Sequence, residues 1–128
     1  MNRQDDPLLS LFHLGVSLHH LNMQSEKRLG LSLGQWCLLK KLIDMPVTTA
    51  HALSKAVGVH PSTLTQTLKR LESRGFIFIT EDPKDSRKKL ISITRAGKKA
   101  LDRARTRDEM SDEIARIRKH IQEQFPSL

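Results

Sequence analysis

The chain has 128 residues, of which 38% are hydrophobic and 28% charged, enough for one compact globular domain and too few for two ordinary ones. Its 22 lysines and arginines outnumber 14 acidic residues, and the net charge of +8 predicts a polyanionic partner: a nucleic acid, an anionic membrane or an acidic protein. A single cysteine excludes an internal disulfide, and a polar start without an apolar leader or membrane-length run leads us to expect a cytoplasmic protein.

The excess positive charge is concentrated in the middle of the chain. Residues 48–98 carry 10 basic and 4 acidic side chains, a net charge of +6, whereas residues 1–47 and 99–128 each have a net charge of +1. Charge that served only solubility would be spread along the chain. We therefore expect the anion-binding surface within residues 48–98.

A first helix is predicted over residues 7–28, because Asp6-Pro7 is a favourable helix start and Gly30 a favourable end. Phe12 and Val16 make its apolar face wider than packing against a single neighbouring element requires. The helix is either an ordinary core helix or one that packs partly on a second subunit. The leucines of that face are Leu8, Leu11, Leu14, Leu18 and Leu21.

Three more helices are predicted before residue 75. The second is capped by Ser32 and ends before Met45-Pro46; the third begins near Thr48 or Thr49 and ends at Gly58; the fourth has Pro61 at its first position. The apolar residues at helical spacing in the second and third helices are Trp36, Leu39, Leu42, Ile43, Leu53, Ala56 and Val57, and those predicted to be buried in the fourth are Leu64, Leu68 and Leu71.

The remaining chain predicts a hairpin and two helices. Gly75 suits the left-handed backbone conformation that often follows the end of a helix, here the fourth, and Phe76 after it can contact Leu71. Two strands are predicted over residues 76–80 and 90–94, joined by a charged loop over 82–89. Thr94 caps a short fifth helix over 95–105, and a Thr106–Glu109 capping box starts a sixth. The apolar residues of these helices are Ala100, Leu101, Ala104, Met110, Ile114, Ile117, Ile121 and Phe125.

This order of elements predicts a mainly α, α+β fold, a winged helix-turn-helix with a two-stranded wing hairpin. Ser54, Gly58 and Leu64 supply the small, glycine and apolar positions that a helix-turn-helix needs. We predict one domain over residues 1–128, with a winged helix-turn-helix core at 32–98 flanked by helices at 7–28 and 106–125.

The outward face of the fourth helix contains short hydroxyls, one amide and two cations, but no carboxylate. Such groups hydrogen-bond base edges and phosphates without repelling DNA; Gln66 suits adenine, and Lys69 or Arg70 suits guanine or phosphate. The alternative is a merely solvated face. The predicted DNA-contact residues of this helix are Ser62, Thr63, Thr65, Gln66, Lys69, Arg70 and Ser73.

The sequence resembles the MarR family of bacterial regulators over residues 8–125, with its specific motifs within 48–98. The most specific match is Asp82-x-x-Asp85-x-Arg87 followed by Ile93-Thr94-x-x-Gly97. Further matches are Leu71-x-x-x-Gly75-Phe76-Ile77, Leu53-Ser54 and Val57-Gly58-Val59, whereas Phe78 and Ile79 occupy strand positions that are often polar in the family.

The resemblance implies that Arg87 enters the DNA minor groove while Asp85 orients it through a salt bridge. Lys84, Lys88 and Lys89 add phosphate contacts, although such a loop can also be only a soluble hairpin tip. The resemblance also implies a homodimer in which the helices at 7–28 and 106–125 are the dimerisation helices. Such a dimer places two recognition helices, the fourth helix of each subunit, about one DNA turn apart on a near-palindrome. The predicted interface residues are Leu8, Leu11, Leu14, Leu18, Ile114, Ile117, Ile121 and Phe125.

Other chemistry finds little support in the sequence. There is no nucleophile elbow, Walker loop or dinucleotide fingerprint, so we predict no enzyme and no cofactor. The six histidines include no pair at i,i+4 spacing, so we predict no metal site, and Cys37 is expected to be a buried structural residue rather than an oxidant sensor.

The function predicted from the sequence is that of a sequence-specific transcriptional repressor. It binds double-stranded DNA as a homodimer and responds to a small-molecule effector of unknown identity. No membrane partner is expected. Two alternatives remain open. A winged helix can serve as a protein–protein module for an acidic partner, and a basic winged helix can bind DNA architecturally without sequence preference.

Overall fold

The computed structural model describes residues 6–105 and 111–126. Its elements form two compact units. The first contains α1 (Pro7–Leu29) and α6 (Ser111–Gln124). The second contains α2 (Leu33–Asp44), β1 (Thr48–Thr49), α3 (Ala50–Val57), α4 (Pro61–Ser73), β2 (Ile77–Asp82), β3 (Asp85–Ile93) and α5 (Arg95–Arg105). Within the described ranges, no helix is both long and apolar enough to cross a membrane.

In the first unit, α1 and α6 pack against each other. The Asp6 carboxylate accepts the Leu8 N–H at 3.0 Å and caps α1, which ends at Gly30 with φ +79°. Arg28 forms a 3.4 Å ion pair with Glu113 near the start of α6. The predicted limits of α1 are therefore close to the observed ones, whereas the Thr106–Glu109 capping box and Met110 lie outside the described residues.

In the second unit, α2, α3, α4 and one face of the sheet enclose an aliphatic core. Its most deeply buried side chains are Leu39, Leu42, Leu53, Leu64, Leu71 and Ile91. Removal of this much apolar surface from water is the main force that holds the helix-turn-helix together. A helix-turn-helix followed by a β-hairpin is the winged helix-turn-helix arrangement, and the predicted fold class is confirmed.

The apolar face predicted for α2 is wrong at two positions. Trp36 and Ile43 are 37% and 44% exposed, while Gln35 and Leu38 are buried. The helix has two apolar sides: one faces the core, and the other lines a shallow cavity beside Leu101. Cys37 is half-buried, not fully buried as expected.

The sheet has three strands in the order β1-β3-β2, not the two predicted. Thr48 and Thr49 pair antiparallel with Ile91 and Leu90, and the Thr49 hydroxyl also caps α3 by accepting the Ala52 N–H at 3.2 Å. The strands of the hairpin extend to Asp82 and from Asp85, so the loop predicted over 82–89 is too long and only residues 83 and 84 join the strands.

The hairpin has an irregular tip. Glu81 pairs with Lys89, but Asp82 pairs with Asp85, so residues 86–88 have no paired residue on β2 in the described register. An unpaired insertion bends a strand and increases its local twist. Arg87 therefore lies in a bulge near the end of the hairpin, which we call the wing (residues 77–93).

Candidate nucleic-acid interface

The position of α4 is fixed at both ends. Pro61 occupies its first turn, and Leu64, Leu68 and Leu71 are 1%, 5% and 0% exposed. At the other end, the Phe76 N–H donates to the Leu71 carbonyl at 3.0 Å and the Gly75 N–H donates to the Glu72 carbonyl at 2.9 Å. This hydrogen-bond pair is a Schellman motif, which requires the left-handed φ of +76° at Gly75.

A buried amide ties α4 to α2. Arg74 donates to the Gln35 side-chain oxygen at 2.9 Å, and its guanidinium lies 4.5 Å from the centre of the Phe76 ring. Gln35 is only 3% exposed, so its oxygen needs a donor inside the protein. The sequence offered no local sign of this contact, because the two residues are 39 positions apart.

The outward side of α4 is accessible along its whole length. Among its hydroxyls, Thr65 donates to the Pro61 carbonyl and Ser73 donates to the Arg70 carbonyl, each at 2.8 Å. Within the described chain, the side chains of Gln66 and Lys69 make no hydrogen bond or ion pair. The seven residues predicted from the sequence are all exposed: Ser62, Thr63, Thr65, Gln66, Lys69, Arg70 and Ser73.

One cap of α4 was missed by sequence reasoning. His60 precedes Pro61, and its Nδ1 accepts the Ser62 N–H at 3.1 Å. Histidine is not among the preferred capping residues, so the pattern gave no signal for it. The side chain is exposed beside the first turn of the predicted recognition helix.

On the wing, two aspartates organise the tip. Asp82 accepts the Lys84 N–H at 2.9 Å, and Asp85 accepts both the N–H and the Nε–H of Arg87, at 3.1 and 3.2 Å. The Arg87 side chain is 89% exposed, so its charge is held in place without being buried. The Asp85–Arg87 pair implied by the family resemblance is thus present within the wing.

The lysines of the wing have different surroundings. Lys84 and Lys88 are exposed, whereas Lys89 forms a 3.3 Å ion pair with Glu81 across the hairpin. Both partners of that pair are more than half exposed, so it holds Lys89 only weakly. No hydrogen bond or ion pair among the described residues joins the wing lysines to the seven residues of α4, although both sets belong to the second unit.

The predicted interface residues lie on α1 and at α6 in the first unit. Leu8, Leu11, Leu18 and Ile114 are exposed by 75%, 51%, 40% and 44%. The half-buried members are Leu14, Ile117, Ile121 and Phe125. Leu14 and Ile117 also line a cavity of about 310 Å³ between the two helices. In the part of the chain that is described, no three histidine, cysteine or acidic residues are grouped to hold a metal ion.

Comparison with known proteins agrees with the family resemblance. The sequence model of the MarR family matches residues 31–89. The transcriptional regulator HosA of Escherichia coli O111:H- is 30% identical over 96 residues, which cover 73% of this chain and 71% of HosA. The regulator YybA of Bacillus subtilis is 30% identical over 111 residues and covers 87% of this chain and 74% of its own length.

Solved structures share the fold. A mutant MarR of Escherichia coli, solved in complex with operator DNA, superposes with a TM-score of 0.68 at 22% identity and covers 94% of each chain. A MepR-like protein complexed with pseudoligands also has a TM-score of 0.68, at 26% identity, and covers 91% of this chain and 76% of that one. Both superpositions extend well beyond the matched residues 31–89.

Proposed function

This chain belongs to the MarR family, and from that premise we propose that it is a transcription regulator that binds double-stranded DNA as a homodimer. The observation that carries the proposal is the outward side of α4, which is exposed, free of carboxylates among its seven predicted contact residues, and part of the same compact unit as the basic wing. Its hydroxyls, amide and cations match base edges and phosphates.

Each element has a distinct role in this proposal. The seven residues of α4 contact the major groove, where Gln66 reads a base and Lys69 and Arg70 hold guanine or phosphate. Arg87 enters the narrow minor groove, whose negative potential attracts a guanidinium. Lys84, Lys88 and Lys89 contact phosphates. Residues 32–98 form the DNA-binding core in this proposal, and α1 and α6 serve as its dimerisation helices.

Salt dependence tests the DNA-binding proposal. If about six phosphates are contacted, affinity for a duplex should fall with salt with a log–log slope near −5. Binding is measured by fluorescence anisotropy from about 50 to 200 mM salt, with duplexes selected from a random pool beside an unselected duplex at matched salt. Equal affinity for the two duplexes favours the architectural alternative, and no duplex binding favours the protein–protein module.

The exposed leucines of α1 support the homodimer. Leu8 and Leu11 are 75% and 51% exposed in the single chain, and Phe12 beside them is 67% exposed. Large apolar side chains grouped on one helix mark an interaction surface, and the commonest symmetric solution is a two-fold dimer. Such a dimer presents two α4 helices to successive major grooves and reads a near-palindromic site.

We expect Leu11→Asp to convert the dimer to monomer, because the substitution buries an unpaired carboxylate at the interface. The molar mass is measured by light scattering across a concentration series. Val47→Asp is the matched control, since Val47 is 66% exposed but lies in the second unit, outside the proposed interface. A wild-type protein that is monomeric throughout, or a Leu11→Asp variant with unchanged mass, contradicts the interface.

Repression and effector control complete the proposal. A protein bound across a promoter excludes polymerase, and an effector that binds the weaker DNA-binding state preferentially releases it. The MepR-like protein that shares this fold was solved in complex with pseudoligands, which supports the proposal of a ligand site in this chain. A bacterial regulator of this kind works in the cytoplasm, where the chromosome lies.

A further inference from the structure

The outer strand of the wing has a partner on one side only. Within the described residues the sheet order is β1-β3-β2, so β2 pairs with β3 alone. A strand at the edge of a sheet presents unpaired backbone N–H and C=O groups, which form a template for another strand unless charges or proline protect them. The first four residues of β2, Ile77-Phe78-Ile79-Thr80, contain neither a charge nor a proline.

The register shows which residues of β2 turn their backbone groups outward. The Thr94 N–H donates to the Phe76 carbonyl at 3.0 Å, so these two residues form a hydrogen-bonded pair. Hydrogen-bonded and non-hydrogen-bonded pairs alternate along an antiparallel ladder, and the next pair, Ile77–Ile93, is therefore of the second kind. The residues whose N–H and C=O point away from β3, which we call the open edge, are Ile77, Ile79 and Glu81.

The surroundings of the open edge are largely apolar and accessible. Phe78 is 61% exposed, and Phe78 and Ile79 occupy strand positions that are often polar in the family. Both residues line a cavity of about 510 Å³ beside the strand. A large exposed apolar side chain next to unpaired backbone groups indicates a surface that a further strand covers.

We propose that the open edge pairs antiparallel with the open edge of a second copy of this chain, about a two-fold axis through Ile79. In this register Ile79 lies opposite Ile79 of the second copy, and Ile77 lies opposite Glu81 of the second copy. Phe78 lies opposite Thr80 of the second copy, an aromatic and β-branched cross-strand pair, which is favourable. Any other antiparallel register pairs fewer residues of the two open edges.

The charges at the two ends of β2 favour a second copy as the occupant. Glu81 is exposed toward the end of the strand. Near its start lie two exposed cations and one exposed carboxylate: Arg74, whose guanidinium is 4.5 Å from the centre of the Phe76 ring, and Arg95 and Glu72, which line the cavity. An antiparallel pair brings the acidic end of each strand beside the more basic start of the other.

The size of this contact determines where it acts. A strand of five residues is about 17 Å long, and its pairing buries less than the roughly 1,200 Å² of a stable protein–protein interface. We expect the pairing between copies that are already held close together, such as two dimers on neighbouring DNA sites. That consequence rests on the proposed function, whereas the pairing itself does not require DNA.

The test is disulfide trapping of the full-length protein without DNA, in a Cys37→Ser background that leaves no native cysteine. Phe78→Cys and Thr80→Cys are combined in one chain, because residues 78 and 80 of two copies form a non-hydrogen-bonded pair whose Cα atoms lie about 4.5 Å apart, within the range of a disulfide. On oxidation we expect roughly fivefold more covalently linked chains than with either cysteine alone, since neither residue lies opposite its own copy. Circular dichroism checks that each variant is folded.

Val47→Cys combined with Phe78→Cys is the matched control. Val47 is 66% exposed in the same unit but lies outside β2, so this variant measures linkage by chance collision. A Phe78→Cys, Thr80→Cys protein that is trapped no more than the control overturns the inference and leaves the open edge to a different chain. This outcome is independent of whether the protein binds a duplex, which tests the proposed function.

Ile79→Pro, added to the double-cysteine variant, tests whether strand pairing causes the trapping. Proline is tolerated in an edge strand where the N–H that it removes points away from the sheet, so the bonds between β2 and β3 should remain. The loss of this N–H should reduce trapping to the level of the control. Trapping that persists in a folded Ile79→Pro variant contradicts backbone pairing at the open edge.

Discussion

Replacing Gly97 with alanine is expected to lower the free energy of unfolding by about 2–3 kcal/mol, the cost of forcing atoms into a packed site. A Cβ at this position would lie 2.3 Å from the Phe76 carbonyl oxygen and 2.8 Å from Ile93 Cγ1. The oxygen belongs to the backbone and accepts the Thr94 N–H at 3.0 Å, so it cannot move away without breaking that bond.

This close approach joins α5 to the end of α4. The Thr94 hydroxyl donates to the Gly75 carbonyl at 2.7 Å and accepts the Gly97 N–H at 3.1 Å. If α5 moved far enough to make room for a methyl group, both of these hydrogen bonds would be strained. The expected loss of stability is opposite to the usual effect of this substitution, because alanine ordinarily stabilises a helix relative to glycine by about 0.5–1 kcal/mol.

Gly34→Ala is the matched control. Gly34 also lies within a helix, α2, but a Cβ there would meet no atom within 4 Å. This variant should be neutral or more stable by up to about 1 kcal/mol. Both variants are measured by urea unfolding at one protein concentration, since the stability of the proposed dimer would depend on concentration. A Gly97→Ala variant as stable as wild type would show that the junction adjusts freely.

Much of the fold was predictable because its boundaries are encoded locally. Asp6, Gly30 and Gly58 each fix a helix end by capping or by a positive φ, and a cap needs only the residues next to it. The exposure of the seven predicted residues on α4 likewise followed from the 100° step of the helix once its buried leucines were known.

The features that were missed depend on distant partners. Thr48 and Thr49 form a strand only because β3, some 40 residues later, presents a free edge, and two residues carry no strand periodicity of their own. Gln35 is buried because Arg74 supplies its donor. The irregular register at the wing tip depends on Asp82 and Asp85, whose carboxylates accept backbone N–H groups of the tip. Residue spacing alone did not indicate this irregularity.

Replacing Arg87 with alanine is expected to weaken binding to every duplex by roughly tenfold or more and to reduce the salt slope by about 1, because the proposed minor-groove contact loses its cation. The fold should be unaffected, since the Arg87 side chain is 89% exposed and its ion pair with Asp85 lies at the surface. Anisotropy titrations with selected and unselected duplexes measure both effects, and urea unfolding checks stability.

Lys119→Ala is the control for net charge. Lys119 is exposed on α6, outside the basic stretch of residues 48–98, so the variant loses the same charge without losing a proposed contact. Its affinity for DNA should change little at physiological salt, where exposed charges more than about 8 Å apart are largely screened. Equal losses in the two variants would mean that Arg87 acts only through overall charge.

Asp85→Ala separates orientation from charge at the wing. Removal of a carboxylate near DNA should strengthen binding if Asp85 acts only by repulsion. Because Asp85 accepts both the N–H and the Nε–H of Arg87, however, its loss frees the guanidinium, which must then be ordered when DNA binds. We therefore expect weaker binding by roughly threefold, and tighter binding of Asp85→Ala would contradict the orienting role of this carboxylate.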